Sequence, residues 1–350
     1  MHLHQGDAER LTDLFSLDDA DHLLTSTAIR TPQVRAARDG SVLPESAYTR
    51  GATLAGKPLT GLVDSRKLLR LFDDGATIVF QGMHRYWPPL AELVAQLELE
   101  LGHPCQANAY LTPPGSQGFA VHSDSHDVFV FQTHGIKRWE VHTDGEIDRV
   151  NLEPGLSMYL PTGTPHAARA QDRASLHVTI GINQLTWRGL LDRAVAGILD
   201  GSEDGHLPAG YLEDPTLVRD GLADRLAALA DAVRDTDADA IVDAHVQRFL
   251  TGRQPSVRGG LRDVLEARHL TDTTVLRRRT GHPCVLVDRG ETLRVLLGDR
   301  YLDVPARLRP ALEKIRCRQD LSPADLPLDE QSRLVLCRRL IREGLLEVRG

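Results

Sequence analysis

"VHSDSHDVFVFQTHGIKRWEVH", residues 121–142, sets four histidines and three acids around a run of strand-forming residues. Val128-Phe129-Val130-Phe131 has the β-branched and aromatic composition of a strand, and Gly135 punctuates it before a second run at 138–142. In an extended chain, residues two apart project from the same face. His122 and Asp124 therefore aim an imidazole nitrogen and a carboxylate oxygen at one point. His126 shares that face but lies about 13 Å from His122 at roughly 3.3 Å per residue, too far to share one ion. A third ligand has to come from elsewhere, and the strongest candidate is His166 in Gly163-Thr164-Pro165-His166, a turn that leads into late strands.

Two histidines and one carboxylate on one side of a metal leave positions open for a co-substrate and oxygen, the arrangement used by non-haem Fe(II) oxygenases. An HxD pair alone is a common accident, and fifteen histidines make a distant third one cheap. The context is what raises it: both ligand segments follow Pro/Gly turns and border strands, and Lys137 lies on a strand after the pair. A lysine ammonium on a neighbouring strand supplies the fixed cation that the far carboxylate of a dicarboxylate co-substrate needs. Asn108 and Tyr110, again two apart, can donate hydrogen bonds from one face of an earlier strand. Ser175, His177 and Thr179 alternate with Leu176, Val178 and Ile180, so for Ser175 ligand binding and ordinary strand alternation stand on equal terms.

With 350 residues the chain exceeds what one core usually supports, and 41% hydrophobic with 26% charged residues is ordinary globular composition. Nothing approaches the roughly 18–20 apolar residues of a membrane span, and Met1-His2-Leu3-His4 leads into polar sequence, so the expected compartment is the cytoplasm, without membrane contact. Four scattered cysteines read as free thiols. The net charge of −8 is unevenly spread: residues 258–350 hold 19 Lys/Arg against 14 Asp/Glu, the preceding residues 22 against 35. Interleaved acids make a solvated surface the favoured reading of the basic tail, ahead of nucleic-acid contact.

Short β-rich runs at 107–111, 128–132, 138–142, 157–160 and 175–182, separated by Gly/Pro punctuation, suggest a sandwich or jelly roll. Before them, Ser16 offers a helix N-cap, 77–80 reads as a strand, and Pro88-Pro89 opens a helix to about Leu101. After Trp187 the apolar period turns helical, through 217–233 and 238–250. Beyond the linker Thr251-Gly252-Arg253-Gln254-Pro255 come strand candidates at 284–287 and 293–297, then helix candidates at 306–316 and 330–343 ending in Gly344-Leu345-Leu346-Glu347-Val348. Helices followed by a short strand pair look like a winged-helix unit, a pattern not unique to it.

"QANAYLTPPGSQGFAVHSDSHDVFVFQTHGIKRW", "PTGTPHAA" and "SLHVTIGINQLTW" together resemble the JmjC-type ribosomal oxygenases, a branch of the cupin superfamily of Fe(II)- and 2-oxoglutarate-dependent hydroxylases. The resemblance implies an α+β chain: a double-stranded β-helix (jelly-roll, cupin) catalytic domain at 1–186 with N-terminal elaborations, a helical dimerisation module at 187–254, and a small winged-helix-like domain at 255–350. It places the iron triad on His122, Asp124 and His166. The basic 2-oxoglutarate residue falls on Lys137, fifteen positions after the first ligand, and the neighbouring Asn, Tyr and Ser on Asn108, Tyr110 and Ser175. Its implied reaction is oxygen-dependent hydroxylation of an arginine or histidine side chain of a ribosomal protein by a homodimer, and a basic substrate suits the acidic first 257 residues. Ser123, Ser125 and His126 depart from the bulky residues often seen beside the ligands in that family, which bears on the substrate. Gln81, Arg85-Tyr86-Trp87 and Gln132 are candidate cleft residues, with packing at a helix start the favoured role for Tyr86 and Trp87. Phe129, Phe131 and Trp139 are expected mainly in core packing. Rival readings are a hydroxylase of a peptide natural product or small molecule, a non-catalytic metal-binding cupin regulator, and a DNA-binding regulator acting through the tail.

Overall fold

The computed structural model describes residues 1–117, 119–143, 145–201 and 205–349. Its first compact unit comprises residues 1–184, 256–282 and 311–350, and a second comprises 185–255 and 283–310. The first unit opens with thirteen strands: β1 (His2–Gln5), β2 (Val34–Arg38), β3 (Ser41–Val42), β4 (Thr49–Leu54), β5 (Lys57–Val63), β6 (Thr77–Phe80), β7 (Cys105–Thr112), β8 (Asp127–His134), β9 (Lys137–Thr143), β10 (Glu146–Leu152), β11 (Leu156–Leu160), β12 (His166–Ala170) and β13 (Ser175–Ile182). Eight of them form one sheet in the order β1-β11-β8-β13-β7-β6-β2-β3, and β10-β9-β12 form a second. The mixed helix and sheet content is the α+β class expected from the sequence.

Strand β13 sits between β8 and β7, antiparallel to both, and all eight of its residues are buried. Its alternation separates two environments. Leu176, Val178 and Ile180 join Ile78, Phe80, Ala109 and Leu111 in a core that also takes Leu23, Leu24, Leu68, Leu90 and Val94 from three helices. Those helices, Leu17–Ser26, Ser65–Asp73 and Pro88–Leu101, cover this face of the large sheet because their apolar stripes need a flat hydrophobic partner. The other face turns towards the small sheet. There Val128, Val130, Met158 and Leu160 pack against Trp139, Val141 and Leu152, closing the sandwich at one side of a cavity.

Local sequence fixes the helix ends. Ser16 and Asp19 form a reciprocal capping box, Asp19 accepting from the Ser16 amide at 2.9 Å and Ser16 from the Asp19 amide at 3.2 Å. Pro88 starts its helix and left-handed Gly102, φ 69°, ends it. The Trp87 indole donates to the Leu14 carbonyl at 2.9 Å and lies edge-on to Phe15, so this tryptophan packs a helix start. Seven of the thirteen strands, β1 to β5, β10 and β12, lie outside the runs read from the sequence, and for four of them the physical reason is plain. β10 (EIDRVNL) is mostly exposed and charged, β12 (HAARA) has little β-forming composition, and the hairpin β4–β5 buries few residues.

In the remainder of the first unit, strands Leu276–Arg278, Asp320–Leu321 and Leu346–Val348 form a three-stranded sheet beside helices Gly260–Glu266 and Glu330–Arg342. A buried ion pair, Asp263 with Arg279 at 2.5 Å, ties it together; Asp263 also accepts from the Val348 amide and Arg279 donates to the Gly344 carbonyl. The second unit holds helices Trp187–Asp200, Thr216–Arg234 and Ala238–Thr251 and a meander of strands Val285–Arg289, Thr292–Leu296 and Tyr301–Pro305. None of the three helices has a buried residue, and Leu191, Leu222 and Leu226 are exposed. No described helix is long and apolar enough to cross a membrane.

The turn that delivers Lys137 to β9 depends on Gly135. Its φ is +65°, and a Cβ there would stand 2.1 Å from the Ala174 carbonyl oxygen. Gly135→Ala is expected to cost on the order of 1–3 kcal/mol in denaturant unfolding. Gly51→Ala, where a Cβ meets nothing within 4 Å, should stay within about 0.5 kcal/mol.

Candidate metal centre and active-site cavity

His122 and His166 are joined by the backbone before their side chains meet. Each amide donates to the other's carbonyl, His122 N to His166 O at 3.1 Å and His166 N to His122 O at 2.8 Å. Directly opposed residues of an antiparallel pair project from one face, so the two imidazoles stand side by side, their ring centroids 4.5 Å apart. Asp124, two residues on, keeps the same face, and its carbonyl accepts from the Gly163 amide at 2.9 Å. One nitrogen or oxygen from each of His122, Asp124 and His166 lies within 4.8 Å of the others, the single such group among the described residues.

The imidazoles are set in the tautomer that a cation requires. His122 Nδ1 lies 2.9 Å from the Ala120 carbonyl and His166 Nδ1 2.9 Å from the Thr164 carbonyl. A carbonyl can only accept, so both Nδ1 atoms carry the proton and both Nε2 lone pairs are left for a ligand. Burial holds His166 below its ordinary pKa, favouring the neutral ring that binds metal. Two neutral imidazoles and a carboxylate, converging with a side open to a cavity, are the donor set that suits a non-haem iron ion.

Asp127 holds the two ligand-bearing segments together, a role the sequence did not reveal. Its carboxylate accepts from the Tyr159 hydroxyl at 2.5 Å and the Thr162 amide at 2.7 Å. Thr162 belongs to the turn before His166, and Asp127 follows Asp124 by three residues. His126 takes no part in the cluster. Its ring lies over Gly181, where a Cβ would stand 2.4 Å from Nε2.

The triad borders a cavity of about 620 Å³ between the sheets. Lys137, Asn108 and Tyr110 all line it, whereas Ser175 does not: the Ser175 hydroxyl accepts from Gln132 Nε2 at 2.9 Å and is buried behind the wall. Gln132 is likewise off the wall, while Gln81, Arg85 and Tyr86 are on it. Trp139 also lines the cavity, 5.7 Å from the His166 ring, whereas Phe129 and Phe131 pack on the helix-covered core.

Lys137 is buried, donates to Thr112 Oγ1 at 3.0 Å and approaches His177 Nδ1 at 3.5 Å. Burial brings its ammonium down to about 7. His177 stands well below its ordinary value, through burial first and the Lys137 charge second, and stacks on Tyr110 at 4.9 Å. It is a neutral ring that adds no charge to the lysine's surroundings. Asn108 Oδ1 accepts from the Gly82 amide at 2.9 Å, which leaves its NH2 group for other partners. The Tyr110 phenol is raised by burial, so it remains a donor. A buried cation beside neutral donors is a place for one carboxylate.

The JmjC domain family matches residues 85–149 and 142–190, the segment that carries the triad and Lys137. The bifunctional lysine-specific demethylase and histidyl-hydroxylase NO66 of Branchiostoma floridae is 27% identical over 79% of this chain and 53% of its own length. Human ribosomal oxygenase 1 is 29% identical over 51% of this chain and 30% of its own length. The chain thus spans about half or less of these relatives. Among solved structures, Escherichia coli ribosomal oxygenase YcfD covers 96% of this chain and 91% of its own with a TM-score of 0.52 at 17% identity, a likeness of fold. Residues 85–190 match a JmjC domain, and motifs, triad geometry and relatives agree on a likeness to the JmjC ribosomal oxygenases.

Proposed function

We propose that this protein is an Fe(II)- and 2-oxoglutarate-dependent oxygenase that hydroxylates an amino-acid side chain of a protein substrate. The observation that carries the reading is the pairing of a His122–Asp124–His166 donor set with a buried lysine, whose hydrogen-bond partners are neutral, in one cavity. When bound, the iron supplies oxygen activation coupled to decarboxylation of 2-oxoglutarate, chemistry no side chain can provide. The protein's share is binding and placement. His122, Asp124 and His166 hold the metal, and Lys137 with Thr112 anchors the distal carboxylate of the co-substrate. The Asn108 amide and Tyr110 hydroxyl donate to it from the neighbouring strand. Ser175 acts at one remove, by fixing Gln132. Trp139 and Leu160 help exclude water from the reacting end. A metal-binding regulator would not need the buried ammonium, which argues against that alternative.

The relatives called ribosomal oxygenases support a ribosomal protein as substrate, with arginine or histidine as the side chain offered by the resemblance. Four cysteines carried as free thiols suit a reducing compartment, and the reading places the protein in the cytoplasm. We also read residues 1–186 as a jelly-roll catalytic domain, 187–254 as a helical module and 255–350 as winged-helix-like. A second copy of the chain would cover the exposed leucines of the helical module.

Asp124→Ala should abolish 2-oxoglutarate consumption while His126→Ala keeps most of it; comparable losses would remove Asp124 from the ligand set. Asp127→Ala should weaken Co(II) binding by about tenfold, read by the visible spectrum of the cobalt-loaded protein, because the clip between the ligand segments is gone. For Lys137 the sign follows from its position near 7. A bound dianion favours the ammonium, so binding above pH 7 takes up a proton and affinity falls as the free lysine deprotonates. Calorimetry should find 2-oxoglutarate affinity dropping roughly fivefold from pH 7 to 8, with that dependence flattened in Lys137→Met. Light scattering should give a dimer that Leu222→Asp with Leu226→Asp converts to monomer.

A further inference from the structure

The charges around the cavity are not those a basic side chain requires. Among the described lining residues Arg35, Arg85 and Lys137 are cationic, and Asp124 is the one acid. On the oxygenase reading, on which this inference rests, a divalent metal and a dianionic co-substrate offset each other, and Asp124 offsets Lys137. Arg35 and Arg85 remain uncompensated. A guanidinium entering this space meets like charge, whereas an anion is attracted.

The placement of Arg35 follows from strand register. Arg35 opposes Val79, Val79 opposes Tyr110, and Tyr110 opposes His177, one row across four antiparallel neighbours. Opposed residues share a face, so Arg35 projects on the same side as Tyr110 and His177. Its guanidinium lies over the Phe119 ring at 5.3 Å, and its charge acts on the Tyr110 hydroxyl. Its Nε is buried without a partner, and so is the Tyr86 hydroxyl on the same wall. Arg85 is exposed on the short turn Met83–Arg85 beside it. Neither arginine forms an ion pair among the described residues. Arg35 lies outside the segment matched by the JmjC family, on the N-terminal strand β2.

We propose that the outer part of the cavity is a carboxylate subsite, in which Arg35 and Arg85, helped by the Tyr86 hydroxyl, hold an acidic group that the substrate carries beside the residue presented to the metal. An arginine side chain is thereby excluded as the residue hydroxylated. The carboxylate belongs to a neighbouring Asp or Glu of the substrate or to its chain terminus.

Two readouts test this on the full chain. Fluorescent nonapeptides centred on His, Asn or Arg, with Glu or Gln two positions to either side and with a free or amidated C-terminus, are titrated by anisotropy against metal-free protein. The same panel is incubated with iron and 2-oxoglutarate and weighed for an added oxygen. Glu-flanked or free-acid peptides should bind at least tenfold tighter than their Gln or amide counterparts, and which of the two carries the advantage identifies the source of the carboxylate. Arg35→Gln and Arg85→Gln should each erase most of that advantage, and Arg35→Lys should restore part of it. Should Arg35→Gln fail to fold, Arg85→Gln at its exposed position carries the comparison. Equal binding of acidic and neutral peptides, binding of neither, or hydroxylation of the Arg-centred peptide overturns the subsite. Discrimination by anisotropy with no 2-oxoglutarate consumed under any condition would instead overturn the oxygenase reading and leave the subsite standing.

Discussion

The reciprocal pair of hydrogen bonds between His122 and His166 is the constraint from which the site follows. Side chains cannot choose their neighbours unless the backbone first sets the register, and here the two ligand residues are themselves the register. A slip of one residue would put His166 on the face opposite the His122–Asp124 pair and split the donor set. The clip made by Asp127, Thr162 and Tyr159 and the Gly163–Asp124 backbone bond resist that slip from the adjoining turn. Strands β8 to β11 lie between the two ligand segments in the chain, so folding of the sandwich is the event that assembles the donor set.

Lys137 shows what the sandwich is stabilised against. Moving an ammonium from water to this interior opposes folding, as its fall to about 7 records, and the neutral partners Thr112 and His177 recover only part of the loss. A hydrophobic residue at the start of β9 would be easier to bury. The lysine makes physical sense where an anion completes its coordination, and its neighbours are arranged for that: His177 is kept neutral, and Thr112 is held in turn by Thr77 at 3.1 Å. Rigidity at this end follows from the glycine turn at 135 and from β13, which places His177 at the centre of the larger sheet.

How much of this could be read beforehand varied with the range of the interaction. Local signals were legible. The Ser16 cap, the strand Thr77–Phe80, the helix Pro88–Leu101 and the strand Ser175–Ile182 stand where caps, prolines and alternation put them. The i, i+2 logic of His122 and Asp124, and the distance argument against His126, needed only the geometry of an extended chain. Features set by pairing were not legible. Strand β12 is mostly alanine and is a strand because β9 lies beside it, and β10 is an exposed, charged edge. Ser175 has the parity of His177 and Thr179, so alternation could not tell that Gln132 covers it. Arg35 and Asp127 look like surface charges in the sequence, and only their cross-strand and turn partners make them part of the site.

Net charge and the charge of the cavity bear on different aspects of a substrate. The acidic excess of the first 257 residues describes a surface, where charges are hydrated, screened over about a Debye length and effective mainly in steering encounters. Selection inside a cavity depends on the few groups that remain close and poorly solvated when a ligand arrives. Those groups are cationic here, with their acid already committed beside the two histidines. A surface that attracts a basic protein and a cavity that favours an acidic group are compatible: the first acts on the whole partner, the second on the few residues that enter. The charge of the partner and the charge of the residue it presents are therefore separate questions, and the lining side chains bear only on the second.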